Sequence, residues 1–321
     1  MKFYFAPMEG VTGYVFRQAQ FALFGAADKY FSPFISPTQN YCFASKELKD
    51  VLPENNEGML LVPQILTNNA DYFLWCAGEL QAMGYKEINL NLGCPSGTVT
   101  AKKKGSGLLA YPEELRVFLD EIFSRCPISI SVKTRLGKKT AEEFETLLPL
   151  FSRYPMTELI IHPRVQPDFY KGNVRMKWYD YALANTQLPL CYNGDIFSPA
   201  DLAAFRAAHP SQETLMVGRG AVANPALIRE LRGGAPITKE ELQLFHDRLY
   251  HGYREALGGG KHAIYRMREW WFYGSCLLEG YEKPLKQIRK AEYFGAYEAA
   301  VASLFRDCPL SVPARFDPAQ H

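Results

Sequence analysis

The chain has no marked charge of either sign, no long apolar run and no paired cysteines, and each lack excludes a class. The formal net charge over 321 residues is +2, so overall charge points to no partner and only its local placement can. No window approaches the roughly 18 continuous apolar residues of a membrane span, and the opening Met1–Glu9 meets Pro7 and Glu9 too early to form a signal-peptide core. The seven cysteines are odd in number and none stands in a Cys-x-x-Cys pair. A zinc ribbon or a disulfide framework is therefore not expected, and neither is a resident metal. Reduced thiols fit a cytoplasmic protein, and a monomer is expected. Internal repeats and low-complexity segments are also missing.

What is present is an alternation. Eight short apolar runs, Phe3–Ala6, Lys29–Phe34, Met59–Ile65, Glu87–Leu92, Ile128–Lys133, Glu158–His162, Leu188–Asn193 and Leu215–Gly218, are rich in Ile, Leu, Val and Phe on both faces. That suits strands of a parallel sheet covered on both sides. Amphipathic stretches separate them, such as Tyr72–Met83, Pro112–Phe123, Ala141–Phe151 and Pro199–Ala207, several opened by helix-start residues at Asn69, Tyr111-Pro112 and Ser198-Pro199. Eight such units in a chain of this size predict an α/β fold, a (β/α)8 TIM barrel over residues 1–235. After Gly233-Gly234 the strand signal stops, and residues 236–321 predict a small α-helical domain.

The apolar runs end in residues for which a packed core has little use. In order these are Pro7-Met8, Ser32-Pro33, Gln64, Asn91 and Cys94, Lys133 and Arg135, His162 and Arg164, Asn193-Gly194-Asp195, and Gly218-Arg219-Gly220. In a barrel all of these fall on the carboxyl rim, where active sites are built. Singly each has an ordinary reading: a strand cap, a first solvated residue, a satisfied histidine, a turn. Glycine turns after the seventh and eighth runs can present the N–H groups of Gly194, Gly218 and Arg219 to a phosphate. The amides of Gln64 and Asn91 match a flavin or uracil edge, and a lysine at position 133 favours negative charge on a flavin. A thiol of ordinary pKa at Cys94 is protonated near neutrality and can donate. A nucleophilic Cys94 paired with His162, as in a hydrolase, stays open on the residues alone.

These residues resemble the tRNA-dihydrouridine synthase family. The likeness runs through Ala6–Thr12, Gln64, Asn89-Leu90-Asn91-Leu92-Gly93-Cys94-Pro95, Lys104–Leu109, Val132–Arg135, His162-Pro163-Arg164, Tyr170-Lys171-Gly172, Asn193–Ile196 and Val217–Ala221. The resemblance implies an FMN-dependent oxidoreductase in which NADPH is the reductant and uridine in tRNA the substrate. It makes Cys94 the general acid. It gives FMN contacts to Pro7, Met8, Glu9, Gln64, Asn91, Lys133, His162, Arg164, Asn193, Gly194, Asp195, Gly218 and Arg219. A flavin barrel acting on a free pyrimidine, of dihydroorotate or dihydropyrimidine type, is the alternative. Gly13, Pro163 and Val165 depart from the family pattern, where Asp, Gly and Thr are usual. Candidate RNA contacts are Lys102, Lys103 and Lys104 beside Cys94, and Lys283, Lys286, Arg289 and Lys290 in the tail. Segment 261–290 of that tail holds seven Lys/Arg against three Glu, a local net charge of +4.

Overall fold

In the computed structural model, which describes residues 1–25, 27–311 and 316, the chain forms nine strands joined in one sheet. They are β1 (Lys2–Phe5), β2 (Lys29–Phe31), β3 (Leu61–Val62), β4 (Gln64–Ile65), β5 (Glu87–Leu92), β6 (Ser129–Gly137), β7 (Leu159–Val165), β8 (Leu190–Asn193) and β9 (Thr214–Val217). Their order is β3-β2-β1-β9-β8-β7-β6-β5-β4. β3 and β4 are one run interrupted at Pro63, which has no N–H to give the ladder. One half of the run pairs with β2 and the other with β5, both parallel, so the sheet closes into an eight-stranded barrel. This is the (β/α)8 barrel that the eight apolar runs predict, with a helical region after it.

The residues cluster into two compact units. The first comprises Met1–Pro7, Lys29–Asp195 and Gln212–Met216, and carries the barrel. The second comprises Met8–Asp28, Ile196–Ser211 and the described residues from Val217 onward. Compactness thus does not follow the division at residue 235, because the first helix, Tyr14–Phe24, belongs with the C-terminal helices. Its Phe16 and Phe24 rings pack on Phe245, at 5.3 and 6.0 Å between centroids, within Lys239–Ala256.

Two strands run longer than their apolar stretches. β6 continues to Gly137 and β7 to Val165, because Arg135 and Arg164, each 1% exposed, lie inside the structure with their guanidinium groups bonded. Between Arg135↔His162 and Gly137↔Val165 the register shifts, three residues of β7 spanning two of β6. That bulge accommodates Pro163, which has no N–H for the ladder.

The barrel interior is layered, because alternate residues of each strand face it. At the amino-terminal ends Lys29 Nζ lies 2.7 Å from Glu87, and Tyr4 Oη donates to Glu158 at 3.2 Å. Tyr4, Ala6, Phe31, Val62, Ile160, Cys191 and Met216 form one apolar cluster. Polar side chains return towards the carboxyl ends.

In the second unit the expected helices form at Lys239–Ala256, His262–Gly274, Glu282–Lys290 and Phe294–Asp307. Trp270, Trp271 and Tyr297 are buried around His246, whose Nε2 lies 2.8 Å from Tyr297 Oη. Among the described residues no helix is long and apolar enough to cross a membrane.

Candidate active site

Asn91, near the carboxyl end of β5, organises the turn that carries Cys94. Its Oδ1 accepts from the backbone N–H of Gly93 at 3.0 Å and of Cys94 at 2.9 Å. Its Nδ2 donates to Gln64 Oε1 at 2.7 Å, Gln64 Nε2 donates to Asn89 Oδ1 at 2.8 Å, and Asn89 Nδ2 donates to Ser131 Oγ at 3.0 Å. An uninterrupted chain of oriented amides therefore runs across β4, β5 and β6 to the cysteine, and such a chain rigidifies what it joins. The sequence alone places Gln64 and Asn91 at the cofactor. Both are buried, and their amides are bonded to each other and to the Cys94 turn.

Three further contacts fix the same turn. Ser106 Oγ donates to Cys94 O at 2.8 Å, Arg135 Nε donates to Gly93 O at 2.9 Å, and Gln166 Nε2 donates to Pro95 O at 2.9 Å. Gly105, at φ +55°, packs so closely that a Cβ would meet Cys94 O at 2.9 Å. Cys94 itself is half-buried. Held on every side by backbone contacts, its thiol has little freedom beyond χ1.

Lys133 is the register partner of Asn91 across the β5–β6 ladder. It makes no hydrogen bond or ion pair with the described residues. Desolvation, with the Arg135 guanidinium next in weight, pulls its pKa down to about 7, while Cys191 and Cys94 oppose the shift. Lys133 is half-buried.

Arg135 and Arg164 brace the rim. Arg135 also donates to Val165 O at 3.0 Å and Phe169 O at 2.6 Å, so one side chain ties the cysteine turn to the loop after β7. Arg164 makes a two-pronged contact with Asp195, at 3.1 and 2.5 Å, and bonds the carbonyls of Lys171 and Gly172. Its Nη1 also lies 2.9 Å from His162 Nε2. A guanidinium can only donate, so that nitrogen must accept and the proton of the neutral ring sits on Nδ1. The Nε2 lone pair is thereby occupied, which disfavours a Cys94–His162 hydrolase couple. Tyr170 stacks on the same imidazole, with centroids 6.1 Å apart.

After β8, Asn193 Nδ2 donates to Met216 O at 2.8 Å. A Cβ on Gly194 would fall 2.0 Å from Tyr192 Oη, so only glycine fits beneath Asp195. Pro7 closes β1 in the barrel unit. The remaining cofactor candidates belong to the second unit. Met8 bonds Thr12 through backbone and hydroxyl, and Glu9 is exposed. Gly218 directly follows β9, and the Arg219 guanidinium stands over Phe197 and Phe316, at 5.4 and 5.5 Å from the ring centroids.

The RNA candidates divide in the same way. Lys102 is exposed. Lys103 is paired with Glu114 at 2.7 Å and lies over the Tyr111 ring at 4.1 Å, and Lys104 is partly desolvated with its pKa lowered. The triplet is thus not one continuous charged patch. Lys283, Lys286, Arg289 and Lys290 are all exposed, while Pro284, Leu285 and Ile288 of the same helix are buried. None of the four makes an ion pair with the described residues. Arg289 and Glu9 line one cleft of the second unit with Arg268, Phe272 and Tyr273.

Sequence reasoning missed the positioning roles of Asn89, Ser106 and Arg135. The signal for the first was present, because Asn89 alternates with Asn91 and so shares its face.

A closed parallel barrel with a rigid cysteine turn, a desolvated lysine and a braced histidine at its carboxyl rim defines a (β/α)8 enzyme. Residues 4–250 match the family model described as dihydrouridine synthase, and the chain belongs to that family. It is a flavin-dependent oxidoreductase. Among its relatives, the tRNA-dihydrouridine(16) synthase of Cupriavidus necator is 27% identical over 249 residues, covering 74% of this chain and 77% of that protein. A probable tRNA-dihydrouridine synthase 1 of Synechocystis is 24% identical over 291 residues, covering 85% and 79%. Among solved structures, an old yellow enzyme homologue from Zymomonas mobilis aligns with a TM-score of 0.52 at 11% identity, covering 76% of this chain and 92% of that one. That likeness is one of fold. Against the family pattern, Gly13 is the N-cap of helix Tyr14–Phe24 with no side-chain cap, where an aspartate would accept from the first turn.

Proposed function

We propose that this chain reduces the carbon 5–carbon 6 double bond of uridine in tRNA to dihydrouridine, with FMN bound, NADPH as reductant and Cys94 as the proton donor. The observation that carries the reading is the fixed Cys94 turn, held by Asn91, Ser106, Arg135 and Gln166. A proton donor must stand at one place relative to the carbon it protonates, and preorganisation of this kind supplies that.

The donor set fits a flavin mononucleotide. Lys133 offers a desolvated amine without a protein anion to pair with, held near neutrality, so an anionic neighbour would draw a proton onto it. Asn193, Gly194 and Asp195 form a braced turn after β8, and Gly218 and Arg219 add a second glycine turn after β9. Pro7, Met8, Glu9, His162 and Arg164 complete the cofactor residues, with Gln64 and Asn91 acting through the cysteine turn. No second glycine-rich nucleotide fingerprint accompanies these turns, which favours FMN over FAD.

When bound, a flavin would supply hydride chemistry for carbon 6, with NADPH as its reductant. Cys94 Sγ gives its proton to carbon 5, where the electron pair of the former double bond collects, and regains a proton from solvent. The exposed cationic face of helix Glu282–Lys290 and the exposed Lys102 supply phosphate contacts, and residues 236–321 serve as the tRNA-binding part. A cytoplasmic monomer suits that role. The test is to supply FMN-loaded protein and NADPH with tRNA or with free uridine, and to weigh the nucleosides. Dihydrouridine formed in tRNA and not from free uridine is expected; reduction of the free nucleoside alone would move the assignment to a small-molecule pyrimidine.

A further inference from the structure

Beside the Cys94 turn the rim carries an aromatic group that the cofactor and the proton donor leave unused. β2 is followed by the loop 36–44, and β4 leads through Asn68 and Asn69 into helix Ala70–Ala82. Tyr41 and Phe43 of the loop meet Tyr72 and Trp75 from the first two turns of that helix. Tyr41 lies 5.6 Å from Tyr72 and 5.8 Å from Trp75, both at steep angles, and Phe43 lies 5.1 Å from Trp75. Tyr41 is 48% exposed, and no parallel ring among the described residues stacks on it.

This loop is built to hold its tip out. The Glu47 carboxylate accepts from Ser36 N at 2.9 Å and from Ala44 N at 3.1 Å, clamping both ends with one side chain. The base is stitched to the barrel through Ile35 N to Gln64 O and Leu66 N to Ile35 O. Tyr41 itself has φ +47°, a left-handed backbone that a bulky residue adopts at a cost. An aromatic ring held half in water on a strained, clamped tip does not serve a core.

We propose that Tyr41, backed by Tyr72 and Trp75, is a stacking platform for an unpaired nucleotide next to the base being reduced. The inference rests on the RNA reading above. A base swung out of a folded RNA leaves its neighbours unstacked, at a cost of a few kcal/mol, and an aromatic face restores that stacking without regard to sequence. Two placements favour this occupant. The loop stands on β2 and β4, and Gln64 of β4 is a link in the amide chain to Cys94. Asn68, at the entry to the platform helix, donates to the backbone Lys102 O at 3.1 Å, which ties the segment bearing the exposed Lys102 to the platform helix, within side-chain reach of an attached phosphate. The acidic neighbour Asp71 is turned to Arg125, at 3.6 Å.

Binding of FMN-loaded protein to tRNA, and to a short unstructured RNA oligomer, tests the platform at several salt concentrations. Tyr41→Ala should weaken both by roughly 5- to 100-fold, the worth of one base–aromatic stack. It should leave the salt dependence and NADPH-driven flavin bleaching unchanged. Tyr41→Phe, which keeps the ring, should bind like wild type. Lys102→Ala should instead lower the log–log salt slope by about 0.7 for a single strand. Wild-type affinity in Tyr41→Ala, or equal loss in Tyr41→Phe, would overturn the platform. A dimer that dissociates on Tyr41→Ala with RNA affinity intact would also overturn it, by giving the surface to a second copy. RNA that binds through Tyr41 yet gains no dihydrouridine would support the platform while contradicting the reaction, so the two failures are distinguishable.

Discussion

Asn91 carries two roles in one side chain, accepting two backbone N–H groups of the cysteine turn and donating into the Gln64–Asn89–Ser131 chain. Replacing it by alanine leaves those N–H groups and Gln64 Oε1 without partners, each worth roughly 1–3 kcal/mol where buried. Asn91→Ala should therefore unfold earlier in urea by a few kcal/mol at most. It should also slow dihydrouridine formation more than flavin bleaching, because the proton donor loses its position. Equal rates in both half-reactions would show that the turn holds itself. At this scale the sequence was half legible. Cys94, Lys133 and His162 stand out by type at strand ends. That Gln64 and Asn91 bond each other was not legible, because pairing across strands depends on register, and register is not written in any one run.

At the scale of elements, helix Glu282–Lys290 separates its residues sharply, with Pro284, Leu285 and Ile288 inward and four cations outward. That separation is visible in the spacing alone. Replacing Lys283, Lys286, Arg289 and Lys290 together by alanine should weaken tRNA binding and flatten its salt dependence, by about 0.9 in log–log slope for each duplex phosphate no longer neutralised. Flavin content should stay at the wild-type level. An unchanged slope would remove this helix from the RNA surface. The strands were legible in number and order. Their ends were not, since β6 and β7 run past the apolar residues on the strength of the bonded guanidinium groups of Arg135 and Arg164. Nor does the sequence separate β3 from β4, although Pro63 marks the place where they part.

The whole molecule carries a buried ionic layer at the amino-terminal end of the barrel. Burial raises the pKa of Glu158 to about 7, with Lys29 and the Tyr4 hydroxyl pulling the other way and Glu87 adding to the rise. Glu158 Oε2 and Glu87 Oε1 are buried without a hydrogen-bond partner among the described residues. The folded state thus holds a proton that the unfolded chain, with an ordinary carboxyl near 4.5, releases. Stability from this group is full below the unfolded value and is lost as pH rises through about 7, by up to about 3 kcal/mol. Glu158→Gln keeps the shape and cannot ionise, so its denaturation midpoint should fall less than that of wild type between about pH 4.5 and pH 7, the span of the two pKa values. Parallel curves would place the pH dependence elsewhere. Nothing in the sequence pattern marks this layer, because Glu158 opens an apolar run and reads there as a solvated strand start.

One proton, delivered to carbon 5, decides whether Cys94 is the general acid. With Cys94 replaced by alanine, FMN should still bind and still bleach with NADPH, since the thiol is a neighbour of the cofactor residues and not one of them. Dihydrouridine formation in tRNA should fall by about 10²–10⁴-fold, the contribution of a positioned general acid. The two half-reactions are followed separately, bleaching by absorbance and dihydrouridine by nucleoside mass. Loss of the second with the first intact is expected of Cys94 as the general acid, and a variant that runs both at the wild-type rate would show that another group supplies the proton.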